Sequence, residues 1–194
     1  MNEVIFQEDT HQYFLDGKEY PSVTTILKHF GMSDYSMVGE TTLMKAATFG
    51  TNFHKTASFY EEGTLGEYSP EFEPWLNGWK KFLKDMAPVS LAIELPMVSK
   101  AWGFSGTPDR IYTIRDKAGI WDIKTGTEVP ANELQTAGYQ ILAEENLGIK
   151  IKERGTVYVF ADGYKLHHHN AKTDDGVFKG LINGYKWKKL KGLL

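Results

Sequence analysis

Apolar and polar side chains alternate along this chain with periods typical of both strands and helices. Two short strands are predicted at Gln12–Leu15 and Lys18–Tyr20, and an Asp-Gly pair between them favours a tight hairpin turn. Ser22 is suited to cap a short helix that ends at Gly31. Residues 1–35 therefore predict a β-hairpin followed by a short helix.

Two longer helices are predicted next. Residues 38–61 carry apolar side chains at spacings that suit a buried stripe, namely Leu43, Ala46, Ala47, Phe53 and Ala57. Residues 71–86 have a proline in the first turn, and large apolar residues follow along one face, namely Trp75, Trp79, Phe82 and Met86. Stripes of this kind usually lie in a core, so both helices are expected to pack against the rest of the fold.

The middle of the chain alternates with a period of two, which is the pattern of strands. One strand is predicted at residues 89–97, and residues 102–104 pair with, or turn into, the hairpin that follows. That hairpin has strands at residues 111–114 and 120–124, joined by a turn at residues 117–119.

A helix at residues 133–147, capped by Asn132, separates this hairpin from a second one at residues 156–161 and 164–169. Because a helix joins strand 120–124 to the first strand of the second hairpin, we expect these two strands to pair in parallel. Helices before and between the strands indicate an α/β fold, in which a mixed β-sheet has helices packed around it.

The composition is that of one globular domain over residues 1–194, with 41% hydrophobic and 24% charged residues. There are no cysteines, which excludes disulfides, thiolate zinc sites and iron–sulfur clusters. The absence of long apolar runs and of a signal-peptide pattern predicts a cytoplasmic protein that does not enter a membrane. The net charge of −3 does not indicate nucleic-acid binding, but residues 172–194 predict a lysine-rich terminal helix.

Two carboxylates and a lysine lie on the first hairpin. Alternation puts Asp122 and Lys124 on one face and Ile123 on the other, and Asp109 can approach that face across the hairpin. A hard cation such as Mg²⁺ prefers carboxylate oxygens, and a lysine beside it can orient or deprotonate a water. The alternative is a solvated hairpin face with a cross-strand ion pair. The apolar alternation of the second strand favours the metal site, because it suits a strand inside a sheet.

These residues resemble the signature of the PD-(D/E)XK nuclease superfamily, which here is Pro108-Asp109 followed by Asp122-Ile123-Lys124. Two further elements resemble the RecB-like exonuclease branch, namely Gly50-Thr51 with His54, and Gln135 with Tyr139. The N-terminal segment HQYFLDGKEYPSVTTIL resembles the start of nucleases encoded in bacteriophage genomes. The resemblance covers residues 6–160 and implies a restriction-endonuclease-like fold, with a central mixed β-sheet flanked by α-helices.

The resemblance also implies roles for these groups. Asp109, Asp122 and the carbonyl of Ile123 would hold Mg²⁺, for which Mn²⁺ can substitute, and the imidazole of His54 would be a further ligand. Lys124 would position and activate the attacking water. An isolated helical histidine has another common use, because it often packs in a core or lies on the surface.

Further residues are candidates for catalysis or DNA contact. Glu94 would sit near the metal in a RecB-like site, although an exposed strand carboxylate is the ordinary alternative. Gln135 and Tyr139 share a helical face, and the resemblance places them against the active site and the DNA, aimed at a phosphate or at Lys124. The alternative is that both only pack and form hydrogen bonds within the fold. The terminal helix offers either a phosphate-tracking surface or a merely solvated face, with Lys186, Lys188 and Lys189.

Together these features predict a metal-dependent deoxyribonuclease, and they favour an exonuclease that hydrolyses linear DNA in phage-type recombination, repair or processing. The alternatives are a structure-specific endonuclease, a junction resolvase, or a noncatalytic nucleic-acid-binding module. DNA is the expected partner. The resemblance also leaves open a homo-oligomer and a complex with a single-strand annealing or recombination protein.

Overall fold

A small antiparallel sheet opens the chain in the computed structural model, which describes residues 3–32 and 40–194. Its strands are β1 (Ile5–Gln7), β2 (Gln12–Leu15) and β3 (Lys18–Tyr20), and β2 and β3 form the predicted hairpin. The predicted cap is confirmed, because the Oγ atom of Ser22 accepts the N–H of Thr25 at 3.0 Å and starts α1 (Val23–His29).

Two helices follow, α2 (Glu40–Glu61) and α3 (Glu73–Met86), with a short 3₁₀ turn at Pro70–Phe72 before α3. The buried stripe predicted for residues 38–61 is wrong in its first half. Ala46 and Ala47 are exposed, whereas Phe53 and Ala57 are buried among the aromatics of α3. Packing on the 3₁₀ turn and α3 begins at Phe49, whose ring contacts those of Phe72 and Trp75, and the exposed alanines precede it. Residues 38–39 and the side chain of Leu43 lie outside the described residues.

Seven strands and two helices complete the chain. They are β4 (Val89–Ile93), β5 (Met97–Ser99), β6 (Phe104–Gly106), β7 (Arg110–Ile114), β8 (Lys117–Lys124), α4 (Ala131–Leu147), β9 (Glu153–Phe160), β10 (Gly163–His168) and α5 (Asp174–Leu190). The central sheet has five strands in the order β10-β9-β8-β7-β4. Strands β8 and β9 pair in parallel and the other pairs are antiparallel, which confirms the predicted mixed sheet.

Three local predictions were wrong. Residues 89–97 form two strands of different sheets, because Glu94 adopts a left-handed backbone conformation (φ 44°) before Pro96 and turns the chain. The hairpin turn lies at Arg115 and Asp116, which both have positive φ, so β8 begins at Lys117. Asn132 does not cap α4. Its side chain instead donates to the hydroxyl of Tyr158 at 2.8 Å.

Helices cover both faces of the central sheet. On one face, α4 packs against β8 and β9, and α1 and α5 pack on α4, with Ile111, Ile120, Leu142 and Phe178 in the shared core. On the other face, α2 and α3 pack around Trp79, Phe82, Trp121 and Ile123. Strand alternation therefore places Asp122 on the α4 face, next to the apolar core and opposite Thr156 of β9.

Candidate active site

Asp109 is held at the point where β7 begins. Its Oδ2 atom accepts the backbone N–H of Ile123 at 2.7 Å. The β7–β8 ladder reaches only the pair Arg110 and Trp121, so the carboxylate of Asp109 takes the place of a backbone partner beyond the end of the ladder. This bond brings Asp109 to the segment of β8 that carries Asp122 and Lys124, as the sequence predicted.

Asp122 is a buried carboxylate with an incomplete set of partners. Its side chain is 0% exposed, and neither oxygen accepts a hydrogen bond of ordinary geometry from the described residues. The Nζ atom of Lys124 forms an ion pair with Oδ2 at 2.6 Å. Burial, reinforced by the charge of Asp109 and opposed by Lys124, raises the pKa of Asp122 to about 6. A buried charge with few hydrogen bonds is costly, so a cation next to this carboxylate would stabilise its ionised form.

His54, from α2, lies between the groups of the hairpin. Its Nε2 atom is 3.0 Å from the carbonyl oxygen of Ile123, and its Nδ1 atom is 3.6 Å from Oδ1 of Asp109. Burial by itself lowers the pKa of His54, but the carboxylate of Asp109 outweighs burial and the net shift is upward. Burial likewise raises the pKa of Asp109, but His54 and Lys124 hold it well below its usual range.

This donor set fits a divalent cation. Two carboxylates and a carbonyl are the oxygen ligands that Mg²⁺ and Mn²⁺ prefer, and Asp122 has oxygens that the protein leaves without hydrogen bonds. Side chains alone do not complete the site, since within residues 3–32 and 40–194 no three His, Cys, Asp or Glu side chains are grouped to hold a metal. The carbonyl of Ile123 would supply the missing oxygen. Nδ1 of His54 faces Asp109 and could join once it has lost its proton, while Nε2 keeps its bond to that carbonyl.

Tyr139 reaches the same region from α4. The Nε2 atom of Gln135 donates to its hydroxyl at 3.0 Å, a contact that their shared helical face permits. Their contact with DNA stays a prediction. Burial, together with the charges of Asp109 and Asp122, raises the pKa of Tyr139 well above 10. The hydroxyl therefore keeps its proton and can donate to an anion.

Sequence reasoning missed Tyr13 and Thr107. The hydroxyl of Tyr13, on β2, lies 2.8 Å from Oγ1 of Thr107, although the two residues are 94 positions apart. Burial and the charge of Asp109 raise the pKa of Tyr13 above its ordinary value, with Thr107 opposing. Thr107 immediately precedes Pro108-Asp109 and could have been found by that position, but no local signal connects Tyr13 to it.

Glu94 lies beside this cluster. Its Oε1 atom accepts a hydrogen bond from Ser58 at 2.8 Å and is 3.6 Å from Nη1 of Arg110. Its backbone N–H donates to the carbonyl of Asp109 at 3.0 Å. These contacts tie its carboxylate to α2 and to Arg110, so its role near the metal stays a prediction.

The three lysines of α5 have separate surroundings. The side chain of Lys186 lies over Gly103, and Nζ of Lys188 is 3.0 Å from Nε2 of His29. Lys189 is exposed and lines a groove beside Tyr185. In the described part of the chain, no recorded contact joins these lysines to the hairpin carboxylates. Their contact with DNA also stays a prediction.

Comparison with known proteins identifies the family. The model of the PD-(D/E)XK nuclease superfamily matches residues 27–180. The chain belongs to this superfamily. No curated protein sequence matches it. Among solved structures it is similar to a "putative exonuclease" from Eubacterium rectale, with a TM-score of 0.52 and 15% identity over 90% of this chain and 82% of the other.

The PD-(D/E)XK assignment confirms the predicted fold, a central mixed β-sheet flanked by α-helices. At 15% identity, the likeness to the solved structure concerns the fold alone. PD-(D/E)XK nucleases generally use divalent metal ions, in keeping with the donor set around Asp122. None of the described helices combines the length and apolar character needed to span a membrane.

Proposed function

We propose that this PD-(D/E)XK protein is a metal-dependent deoxyribonuclease of the RecB-like branch that acts as an exonuclease on linear DNA. The observation that carries the proposal is the buried carboxylate of Asp122, which has an ion pair with Lys124 and no ordinary hydrogen bond. A purely structural hairpin would leave such a carboxylate exposed or provide it with N–H donors. A cation that binds both this carboxylate and the phosphate of the DNA would explain why Asp122 is buried here.

Asp109, Asp122 and the carbonyl of Ile123 would hold Mg²⁺, with Mn²⁺ as a substitute and His54 as a further ligand. When bound, such an ion supplies positive charge that stabilises the negative charge growing on the attacked phosphate. The bond from Ile123 N–H to Asp109 fixes the first carboxylate, and the position of Asp122 inside the sheet fixes the second. The carboxylates of Asp109 and Asp122 therefore have fixed positions before any substrate binds.

Lys124 is proposed to handle the water. Its Nζ atom lies 2.6 Å from Asp122, and its side chain remains partly exposed. An ammonium group paired with a carboxylate in this way can still donate an N–H to a water oxygen, orienting the water toward the phosphorus atom. Tyr139, which stays protonated, can donate to a phosphate oxygen of the strand being cut.

The exonuclease assignment rests on elements outside the hairpin. His54 contacts both Asp109 and Ile123, which agrees with the helical histidine of the RecB-like resemblance. The Gln135–Tyr139 pair agrees with its second helix. The fold is also similar to that of the protein from Eubacterium rectale named a "putative exonuclease".

The test is a digest of end-labelled linear DNA and closed circular DNA with Mg²⁺, Mn²⁺ or EDTA. We expect loss of the linear substrate with either metal, survival of the circle, and no cleavage in EDTA or by Asp122→Asn. Cleavage of the circle would instead indicate an endonuclease or a junction resolvase. Binding without cleavage under every condition would indicate a noncatalytic module. Light scattering of the purified protein would test the expected homo-oligomer.

A further inference from the structure

Arg110, the residue after Asp109, has a fully buried guanidinium group. Its side chain is 0% exposed and lies 5.7 Å from the ring centre of Trp79. Arginine is seldom buried to this degree unless each of its N–H groups finds a partner. The hydrogen-bond partners of Arg110 therefore indicate its structural role.

The charge of Arg110 is balanced by Glu61, near the end of α2. The Nε atom of Arg110 donates to Oε1 of Glu61 at 2.7 Å. The same carboxylate accepts the indole N–H of Trp79 at 3.1 Å and the hydroxyl of Tyr112. Three donors from α3 and β7 thus bind this carboxylate, and Glu61 cannot turn away without leaving them unpaired.

The other two nitrogens of Arg110 reach toward the candidate site. Nη1 donates to the carbonyl of Asp109 at 2.7 Å, and Nη2 donates to Oγ of Ser58 at 3.1 Å. The hydroxyl of Ser58 lies 3.0 Å from the carbonyl of His54 and 2.8 Å from Glu94. It has a single hydrogen, so it donates to one of these two oxygens at a time.

This network connects the two elements that must meet at the site. Arg110 and Asp109 belong to the start of β7, whereas Ser58 and Glu61 lie one and two helical turns after His54 on α2. A buried ion pair contributes little net stability, because desolvation offsets most of the attraction. Apolar side chains of similar size would join α2 to the sheet equally well, but they would not fix its rotation and its position along its axis.

We propose that the Arg110–Glu61 pair is a positioning device, which fixes α2 against β7 so that the imidazole of His54 meets Asp109 and the carbonyl of Ile123. Glu94 belongs to the same device through Ser58 and Arg110. The geometric part of the proposal stands by itself, and its expected effect on metal affinity rests on the proposed function. Arg110 and Glu61 act through His54 and Asp109 and are not themselves catalytic.

The chain offers a matched control. Arg154 is a second arginine with a buried carboxylate partner, Asp174, whose Oδ2 atom is 2.9 Å from Nη2. That pair joins β9 to α5, and among the described residues the hydrogen bonds of Arg154 go to Glu133, Thr136, Ala171 and Asp174, none of which lies on α2. Glu61→Gln and Asp174→Asn are therefore the same chemical change at two buried pairs, one proposed to position the site and the other not.

The experiment compares both variants with the unmodified full chain by Mn²⁺ calorimetry and by hydrogen exchange without metal. Both substitutions are expected to lower the melting temperature. Glu61→Gln should weaken Mn²⁺ binding by about tenfold or more, whereas Asp174→Asn should leave it within about twofold. Glu61→Gln should also speed exchange of the Ile123 amide, because that N–H is bonded to Asp109.

Arg110→Lys gives a second route if Glu61→Gln does not fold, since lysine keeps the charge but loses the fork that reaches three partners at once. It should weaken Mn²⁺ binding to a similar degree. Equal losses of affinity in the Asp174 variant, or unchanged affinity and Ile123 exchange in the Glu61 and Arg110 variants, would overturn the proposal. If the unmodified protein bound no Mn²⁺, the proposed function would fail, and Ile123 exchange would still decide the positioning role.

Discussion

The Nε2 atom of His54 lies 3.0 Å from the carbonyl oxygen of Ile123, although the two residues are 69 positions apart. Both groups are proposed metal ligands, and here each satisfies the other by a hydrogen bond. Nδ1, which faces Asp109, could bind a metal while this bond remains, but the metal needs a nitrogen without a proton and so competes with the proton of the imidazolium. The first prediction follows from that competition.

Metal affinity should fall as pH decreases through the raised pKa of His54. The pKa lies above 6.5 because Asp109 outweighs burial, so the loss should begin above pH 6.5. Stability behaves in the opposite way. The contribution of the imidazolium is complete below about pH 6.5 and is lost as pH rises through the raised pKa. Calorimetric Mn²⁺ titrations between about pH 6 and 9 would measure the first effect, and melting curves in EDTA the second.

His54→Ala should weaken Mn²⁺ binding by about 10–100-fold and flatten its pH dependence. The control is His167→Ala, which removes a histidine paired with Glu128. An unchanged metal titration for His54→Ala, with only a lower melting temperature, would make His54 a packing residue.

Asp122→Asn should abolish cleavage and yet stabilise the protein in EDTA. The pKa of Asp122 is raised to about 6, so the folded state holds the proton more tightly than the unfolded state. The ionised carboxylate therefore costs stability as pH rises from about 4 to 6, and the cost is complete above this range. We expect the variant to melt at least about 2 °C higher at pH 7.5 and at nearly the same temperature as the parent at pH 4.

The same variant should lose the stabilisation that Mg²⁺ or Mn²⁺ gives to the parent protein. Differential scanning fluorimetry across pH, with and without metal, measures both effects. A parent-like rise in melting temperature on adding metal would remove Asp122 from the proposed ligand set.

Lys124→Ala should lower kcat by about 10²–10⁴-fold while Mn²⁺ and DNA still bind, because the lysine is assigned to orienting water. Lys117→Ala is the matched control, since Lys117 begins the same strand and forms an exposed pair with Glu153 at 2.7 Å. Single-turnover kinetics separate the chemical step from binding. A variant whose only defect is weak DNA binding would make Lys124 a phosphate anchor.

Gln135→Ala should raise the KM for DNA by about 2–10-fold without changing Mn²⁺ affinity. The reason is that the hydroxyl of Tyr139, which is proposed to donate to a phosphate, loses the described hydrogen bond that orients it. Gln140→Ala is the control on the same helix, where Gln140 bonds Glu144 at 3.1 Å. Equal KM values for the two variants would argue against a role of the pair at the substrate.

Replacing Lys186 and Lys189 by glutamine should reduce the salt dependence of DNA binding. If both contact phosphates, the slope of log affinity against log salt should become shallower by about 2. Lys117→Gln and Lys165→Gln together give a control of equal charge change. A slope equal to that of the parent would show that the lysine-rich helix is only a solvated face.

The sequence by itself predicted the features that depend on neighbours along the chain. The period-two alternation around Ile123, the Asp-Gly hairpin and the Ser22 cap are local signals, and each was confirmed because the forces that produce them act over a few residues. The parallel pairing of β8 with β9 was also predicted, because a crossover helix leaves few other topologies.

Only the tertiary structure decided which distant residues share the site. Local propensity did not place Glu94 in a left-handed turn, and it did not recruit Asn132 to Tyr158, because both depend on partners from other strands. The bond from His54 to Ile123 and the contact of Tyr13 with Thr107 likewise join segments far apart in sequence. Such contacts exist because burial of the two apolar faces of the sheet offsets the entropy of closing long loops, and sequence spacing carries no record of that balance.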